Sequence, residues 1–274
     1  MTTGELRIED YASVNAQAPS ELMSKDYHFV PTTKILDTLQ DAGWKPHTIQ
    51  EGESKPVITR QGKEMINPRY GFQKHIVTLS NPDLPRITVN DDALFPEIVV
   101  TNSHDGSAQF QIMAGLYRMV CSNGLIVSAA QFVAQKIKHL GMKEEHILAA
   151  VEHVREATPR IAQRIGDFAI PLTREQQMEY AHASLLVKYG EGRIGDFDPA
   201  ALIRPERIED DKSTLWTTYN TVQEKLIEQG AEIVRTGAGE YDRKESRPIK
   251  SPAERVRVNR GLWDLAETML EYVN

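Results

Sequence analysis

The chain has 274 residues, 40% of them hydrophobic and 26% charged, with a single cysteine and a formal net charge of −7. That length supports a sizeable core in one large domain or two lobes, while one cysteine excludes an intramolecular disulfide and a thiolate zinc cage, and net acidity argues against a surface that is basic throughout. No apolar run approaches the roughly 20 residues that cross a bilayer, and Met1 to Glu5 lacks the basic and apolar segments of a secretory signal, so the expected setting is cytoplasmic, with no membrane partner.

Residues 1–26 are polar and aperiodic and read as a loosely ordered N-terminal arm with room for one short helix. Residues 27–274 read as a single two-layer domain. Thr32-Thr33 look like caps for a helix through Ile35, Leu36 and Leu39 that ends near Gly43, and Trp44 to Ile49 suits a strand. Residues 50–69, rich in Glu, Gly, Lys and Pro, suit a hairpin tip or exposed loop. His75 to Leu79 alternates, Asn81-Pro82-Asp83 is a turn signal, and Pro96 to Asn102 is β-rich. The links between these strands are too short for crossover helices, so the sheet is expected to be mainly antiparallel.

From Ser107 onward the spacing predicts helices. Phe110, Met113, Ala114, Tyr117 and Val120 recur at helical intervals, then Val127, Phe132, Val133, Ile137 and Leu140, with Gly141 closing that segment. Another helix is predicted from about Lys143 to Ile165. The next has Thr173 as cap and Gln176 at the capping-box position. Residues 190–212 form a charged loop in which Asp211 is expected to help start the following helix. Helices at about 213–229 and 252–272 finish the chain. The fold class is therefore α+β: an N-terminal mainly antiparallel sheet (27–106) with one or two helices, then a helical C-terminal half (107–274).

The densest cluster of unusual residues is Arg118-Met119-Val120-Cys121-Ser122-Asn123-Gly124. Asn-Gly favours positive φ and a sharp reversal, because Gly has no Cβ and Asn tolerates that region better than most residues. Preceded by Asn102-Ser103-His104-Asp105-Gly106, it resembles a family of phage- and plasmid-encoded proteins known only as a domain of unknown function. Gly71-Phe72-Gln73-Lys74-His75, Leu215-Trp216-Thr217-Thr218-Tyr219-Asn220 and Asn259-Arg260-Gly261-Leu262-Trp263 carry the same likeness, which spans roughly residues 25–270. The resemblance implies a mobile-element origin and a bacterial cytoplasmic setting, and brings no catalytic residues with it.

Several candidate sites compete with plainer structural accounts. Asn102, Ser103, His104, Asp105 and Gly106 stand where a strand should hand over to a helix. Such a junction can hold a phosphate on backbone amides, or Asp105-Gly106 can simply turn while Ser107 caps. Arg118 on a buried helix needs a carboxylate to offset its desolvation; alternatively it joins Asn123 in gripping a phosphate. Cys121 reads as a small hydrophobe rather than a nucleophile. His139, His146 and His153 repeat every seven residues, too far apart to share a metal ion on one helix, so neither a metal nor another cofactor is expected.

Charge is unevenly placed. Between Arg243 and Arg260 seven basic residues face two acidic ones, a local +5 that leaves −12 on the remainder. A basic strip neutralises phosphates even on an acidic protein, and aromatic neighbours such as Tyr241 add stacking. The leading expectation is thus a non-enzymatic accessory protein of a phage or plasmid that binds single-stranded or duplex DNA through Lys250, Arg255, Arg257 and Arg260, as a monomer or homo-oligomer. Two alternatives remain open. One is an interaction factor that binds a host protein and counters a defence system. The other is an enzyme or binder of a phosphate-bearing ligand at Asn102 to Gly106, Arg118 and Asn123, which requires those residues to converge.

Overall fold

The computed structural model describes residues 6–55, 57–58, 60–62, 64–118, 123–126, 135–136, 143–235 and 242–274. Helix α1 (Thr32–Asp41) buries Ile35, Leu36 and Leu39. Gly43, at φ 87°, then turns the chain so that Trp44 enters the core ahead of β1 (Lys45–Glu51). An exposed hairpin, β2 (Val57–Ile58) with β3 (Glu64–Met65), fills the segment expected as a loop or hairpin tip. The main sheet continues with β4 (His75–Ser80), β5 (Ile87–Val89), β6 (Asp92–Asn102), β7 (Gln111–Arg118), β8 (Asn123–Ile126) and β9 (Gln135–Lys136). Its order is β1-β4-β6-β7-β8, with β5 on β6 and β9 on β7. Every one of these pairings is antiparallel.

Strand β7 overturns one expectation: residues 111–118 are not helical. The run Phe110 to Leu116 is apolar at nearly every position, and such a run satisfies helical spacing and a strand covered on both faces equally well. Here Ile112, Ala114 and Leu116 join the main core, whereas Met113 packs on the opposite face with Ile76 and Val99. Gly115, at mid-run, also disfavours a helix. The chain does reverse between Arg118 and Asn123, but it does so between two strands rather than two helices, and Asn123 and Gly124 are themselves ladder residues of β8, paired with Arg118 and Tyr117. Of the helix expected from Val127 to Leu140 only Gln135–Lys136 is described, and it pairs with β7. Cys121 and His139 lie outside the described residues, as does Tyr241.

The helical half follows expectation more closely. Helix α2 (Glu144–Asp167) lays Ile147, Val151, Val154 and Ile161 inward. Helix α3 (Arg174–Tyr189) opens with the Thr173/Gln176 capping box. A short α4 (Pro199–Leu202) precedes α5 (Leu215–Glu224), whose cap is Thr214 rather than Asp211: the Thr214 hydroxyl accepts from the Thr217 amide. A hairpin of β10 (Glu232–Arg235) and β11 (Asp242–Glu245) leads to α6 (Pro252–Val273), capped by Ser251 with Pro at its first turn, where a missing N–H costs nothing.

One apolar cluster runs from α1 through the inner sheet face (Val77, Val100, Leu116) to α2, α3, α5 and α6, ending on Trp216 and Trp263. Within the segment expected from its polarity to be a loosely ordered arm, residues 13–20 are tied to the sheet. Ser13 and Val14 are fully buried, and the Ser13 amide and hydroxyl both donate to Glu51 at 2.6 Å. The backbone N–H of Ser20 donates to the His104 carbonyl.

Candidate nucleic-acid interface

The sheet's second face is sparsely apolar. Register places Gln50, Ile76, Thr101 and Gln111 on it, along with Thr78, Val99 and Met113, and then Glu97. Helix α6 touches this face through Val256, which packs against Ile76, Val99 and Met113. Farther along, Gly261 lets α6 approach α3; a Cβ there would lie 2.6 Å from Val187 Cγ1. Between these anchors and the sheet lies a groove of about 780 Å³, lined by Lys74, Thr101, Gln111, Arg257, Arg260 and Asp264 among others. A cavity of about 240 Å³ shares Lys74, Ser107 and Ala253 with it, and a third of about 410 Å³ shares Gly52, Glu53 and Ser251 with the second. Together they follow the basic strip from Arg247 to Asp264. Their walls carry Arg69, Lys74, Arg247, Lys250, Arg257 and Arg260 against Glu53, Asp105 and Asp264, a net positive channel on a net negative chain.

The four strip residues expected to bind nucleic acid are not equivalent. Lys250 is exposed, with its ammonium 3.6 Å from Glu53. Arg260 lines the groove without an ion-pair partner among the described residues. Arg257 donates to Glu254 at 2.8 Å and to the Val187 carbonyl at 2.7 Å. The bond to Glu254 raises the guanidinium above its usual range, and with Nη2 also donating to Glu254 and to the Lys188 carbonyl, every nitrogen of the group already has an acceptor in the protein. Arg255 points elsewhere, clasping Glu228 in a two-pronged pair (Nη2 to Oε2 2.8 Å) beside a different cavity. Lys74 and Arg69 were missed as candidates. They come from the sheet side, and their one signal was Lys74's place in the Gly71 to His75 motif.

The other candidate residues do not form one site. Arg118 pairs with Leu94 at one end of the β6–β7 ladder, and Thr101, beside Asn102, pairs with Gln111 at the other. Seven strand residues separate those ends by about 23 Å, beyond the reach of one small ligand. Arg118 is instead locked: Nε sits 2.8 Å from Asp92 and Nη2 2.8 Å from Asp210, and Trp216 Nε1 donates to the same Asp92. Of Asn123 only the strand pairing is described.

At the far end, Asn102 donates to Thr32 at 3.0 Å, and the Thr32 hydroxyl lies 2.8 Å from His75 Nε2 and 3.2 Å from His104 Nε2. His75 Nδ1 lies 2.9 Å from the Ser13 hydroxyl. Burial pulls the His75 pKa down to about 4, so its ring stays neutral. Glu51, Ser13 and His75 have the residue types of a nucleophile relay, but Ser13, His75 and Asn102 are completely buried and no substrate reaches them. Asp105-Gly106 turns as expected, with Asp105 accepting from the Ser107 amide and Gly106 at φ 72°; a strand follows, so Ser107 caps no helix. Ser103 closes the loop onto the Ala108 amide and carbonyl.

His146 accepts from the Lys143 amide and so completes the N-terminal cap of α2. Among the described residues no cluster of three or more metal-ligating side chains occurs, and no helix is long and apolar enough to cross a membrane.

Residues 19–263 match the model of a family described as "Domain of unknown function (DUF932)". Two curated Escherichia coli K12 proteins are similar over nearly the whole chain. UPF0380 protein YfjQ is 28% identical and UPF0380 protein YafZ 29%, each over 262 residues that make up 94% of this chain and 88% of the relative. No solved structure matches.

Proposed function

We infer the role of this chain, which belongs to the DUF932 family, from its groove: it holds single-stranded nucleic acid, without catalysing a reaction, as an accessory protein of a mobile element. The observation that carries this is the continuous channel along α6, whose walls concentrate six basic side chains on a chain of net charge −7. The helical stretch from Pro252 to Asp264 is about 18 Å long, enough for about five stacked nucleotides, within the range a single small binding fold accommodates. Lys74, from the sheet side, and Arg260, from α6, both line the groove and serve as the backbone contacts, and Lys250 and Arg247 extend the track.

The test is fluorescence anisotropy with a labelled oligo(dT), from low to physiological salt. Binding should weaken linearly in the logarithm of salt concentration, and Arg260→Ala with Lys74→Ala should flatten that dependence. Absence of binding at low salt overturns the reading and turns attention to a host protein as the partner.

A further inference from the structure

The hairpin of β2 and β3 pairs with no other strand among the described residues. Register sets Val57 across from Met65 on one face and Ile58 across from Glu64 on the other. Val57, Ile58, Met65 and the adjoining Ile66 are 44–81% exposed, so apolar side chains stand open on both faces of the ribbon. A two-stranded ribbon is marginal by itself, and an exposed apolar cluster of this kind marks a surface that something else covers. The root of the hairpin is tied. Asn67 donates to the Lys55 carbonyl at 3.0 Å and accepts from the Arg69 amide, which closes the two ends on each other. Ser54, Asn67 and Arg69 then line the cavity of about 240 Å³ that shares Lys74, Ser107 and Ala253 with the groove. The hairpin therefore springs from the channel wall. Gly62 turns it at φ 75°, and nothing lies within 4 Å of a Cβ placed there.

Charge and position say what covers it. Residues 55–70 hold four basic side chains, Lys55, Arg60, Lys63 and Arg69, against the single acid Glu64, a local +3 on a chain of −7. The covering partner is thus anionic, and the root of the hairpin shares its wall with the channel that carries the phosphates. We propose that the hairpin is an arm that wedges Ile58 and Ile66 against duplex nucleic acid where it opens onto the channel, so that the protein grips a junction between single strand and duplex. This rests on the groove reading above and adds a duplex to it. The residue types select the duplex. Single strands are stacked on aromatic rings, whereas aliphatic wedges such as Ile and Met enter between base pairs and unstack them. A junction is the cheapest place for this, because its last base pair has a paired neighbour on one side only. Arg60, exposed in the turn, and Arg69, exposed at the root 4.0 Å from Asp105, meet the phosphates beside the wedge.

The experiment compares three labelled probes on the full chain by fluorescence anisotropy: oligo(dT), a blunt duplex, and that duplex carrying the same oligo(dT) as a tail. A 2-aminopurine in the last base pair of the tailed duplex brightens when it is unstacked. The expected result is that the tailed duplex binds about tenfold more tightly than either simpler probe, with a rise in 2-aminopurine fluorescence. Ile58→Ser with Ile66→Ser should abolish both effects while leaving oligo(dT) affinity and its salt dependence intact. Both side chains are exposed, so these substitutions leave the core untouched. Oligo(dT) binding with no junction preference, or with a preference that the double variant retains, overturns the arm and leaves the groove standing. Duplex binding that needs Ile58 and Ile66, with no binding of oligo(dT), overturns the groove and keeps the arm. Binding to none of the probes overturns both. Self-association in sedimentation that the double variant loses, with junction binding unchanged, makes the hairpin a contact between copies and overturns the proposal.

Discussion

Arg118 and Asp210 stand 92 positions apart in sequence and 2.8 Å apart in space. One ends a strand and the other lies in the short turn before α5; with Asp92 at the start of β6 they tie the sheet to the helical half. All three side chains are at most 5% exposed. The Arg207 guanidinium, itself bound to Glu224, comes within 3.9 Å of the same Asp210, so the bridge has a second support on the helical side.

Breaking this bridge on one side should be worse than dissolving it. Arg118→Met leaves two buried carboxylates facing each other, and chemical denaturation should show a loss of about 3–5 kcal/mol. Adding Asp92→Asn and Asp210→Asn removes those charges, and the triple variant should be more stable than Arg118→Met alone. A triple variant less stable than the single would show that the carboxylates have other compensating partners.

His75 should make stability depend on acid. Its folded pKa of about 4 lies below the unfolded value near 6.5. As pH falls from 6.5 to 4 the unfolded chain takes up a proton that the folded chain refuses, so stability declines over that window. The full contribution is about 3 kcal/mol. Glu97, whose folded pKa is raised, contributes a slope of the opposite sign. The difference between wild type and His75→Gln therefore isolates the histidine: the variant should lose less stability between pH 6.5 and 4.

Gly230 ends the turn after α5 at φ 106°, and an added Cβ would overlap the Ser246 carbonyl. Neither a backbone clash nor a positive φ is relieved by rotating a side chain. Gly230→Ala should cost at least about 3 kcal/mol, read from the denaturation midpoint. A near-neutral effect would mean that Ser246, whose amide donates to the Ala231 carbonyl and whose hydroxyl accepts from the Ala231 amide, each at 2.8 Å, is easily displaced.

Within the basic strip, Arg255 and Arg260 should separate cleanly. Arg260→Ala should reduce the salt slope of oligonucleotide binding by about 0.7 and leave stability unchanged. Arg255→Ala should leave the slope alone and lower stability by no more than about 1 kcal/mol, since its pair with Glu228 is only partly buried. Equal effects on the salt slope would show that Arg255 releases Glu228 to meet phosphate.

What was legible in the sequence was local. The Thr173/Gln176 box, the start of α6 at Pro252 and the strand at His75 to Leu79 each depend on a few neighbouring residues, and each is present. The basic strip was equally visible as a count of charges. Strand β7 was not legible, because a strand covered on both faces loses its period of two, and only the partners on either side of it say which period applies. The candidate sites failed for a related reason. Asn102 and Arg118 look close along the chain, yet β6 and β7 run antiparallel and carry them to opposite ends of the sheet. Lys74 acquires meaning only when α6 is laid over the second sheet face. Local capping and turn chemistry is short-ranged and belongs to the sequence. Which buried charge finds which partner, and which cation is left facing solvent, was decided by tertiary packing, because desolvation and Coulomb attraction act between side chains that the chain order keeps far apart.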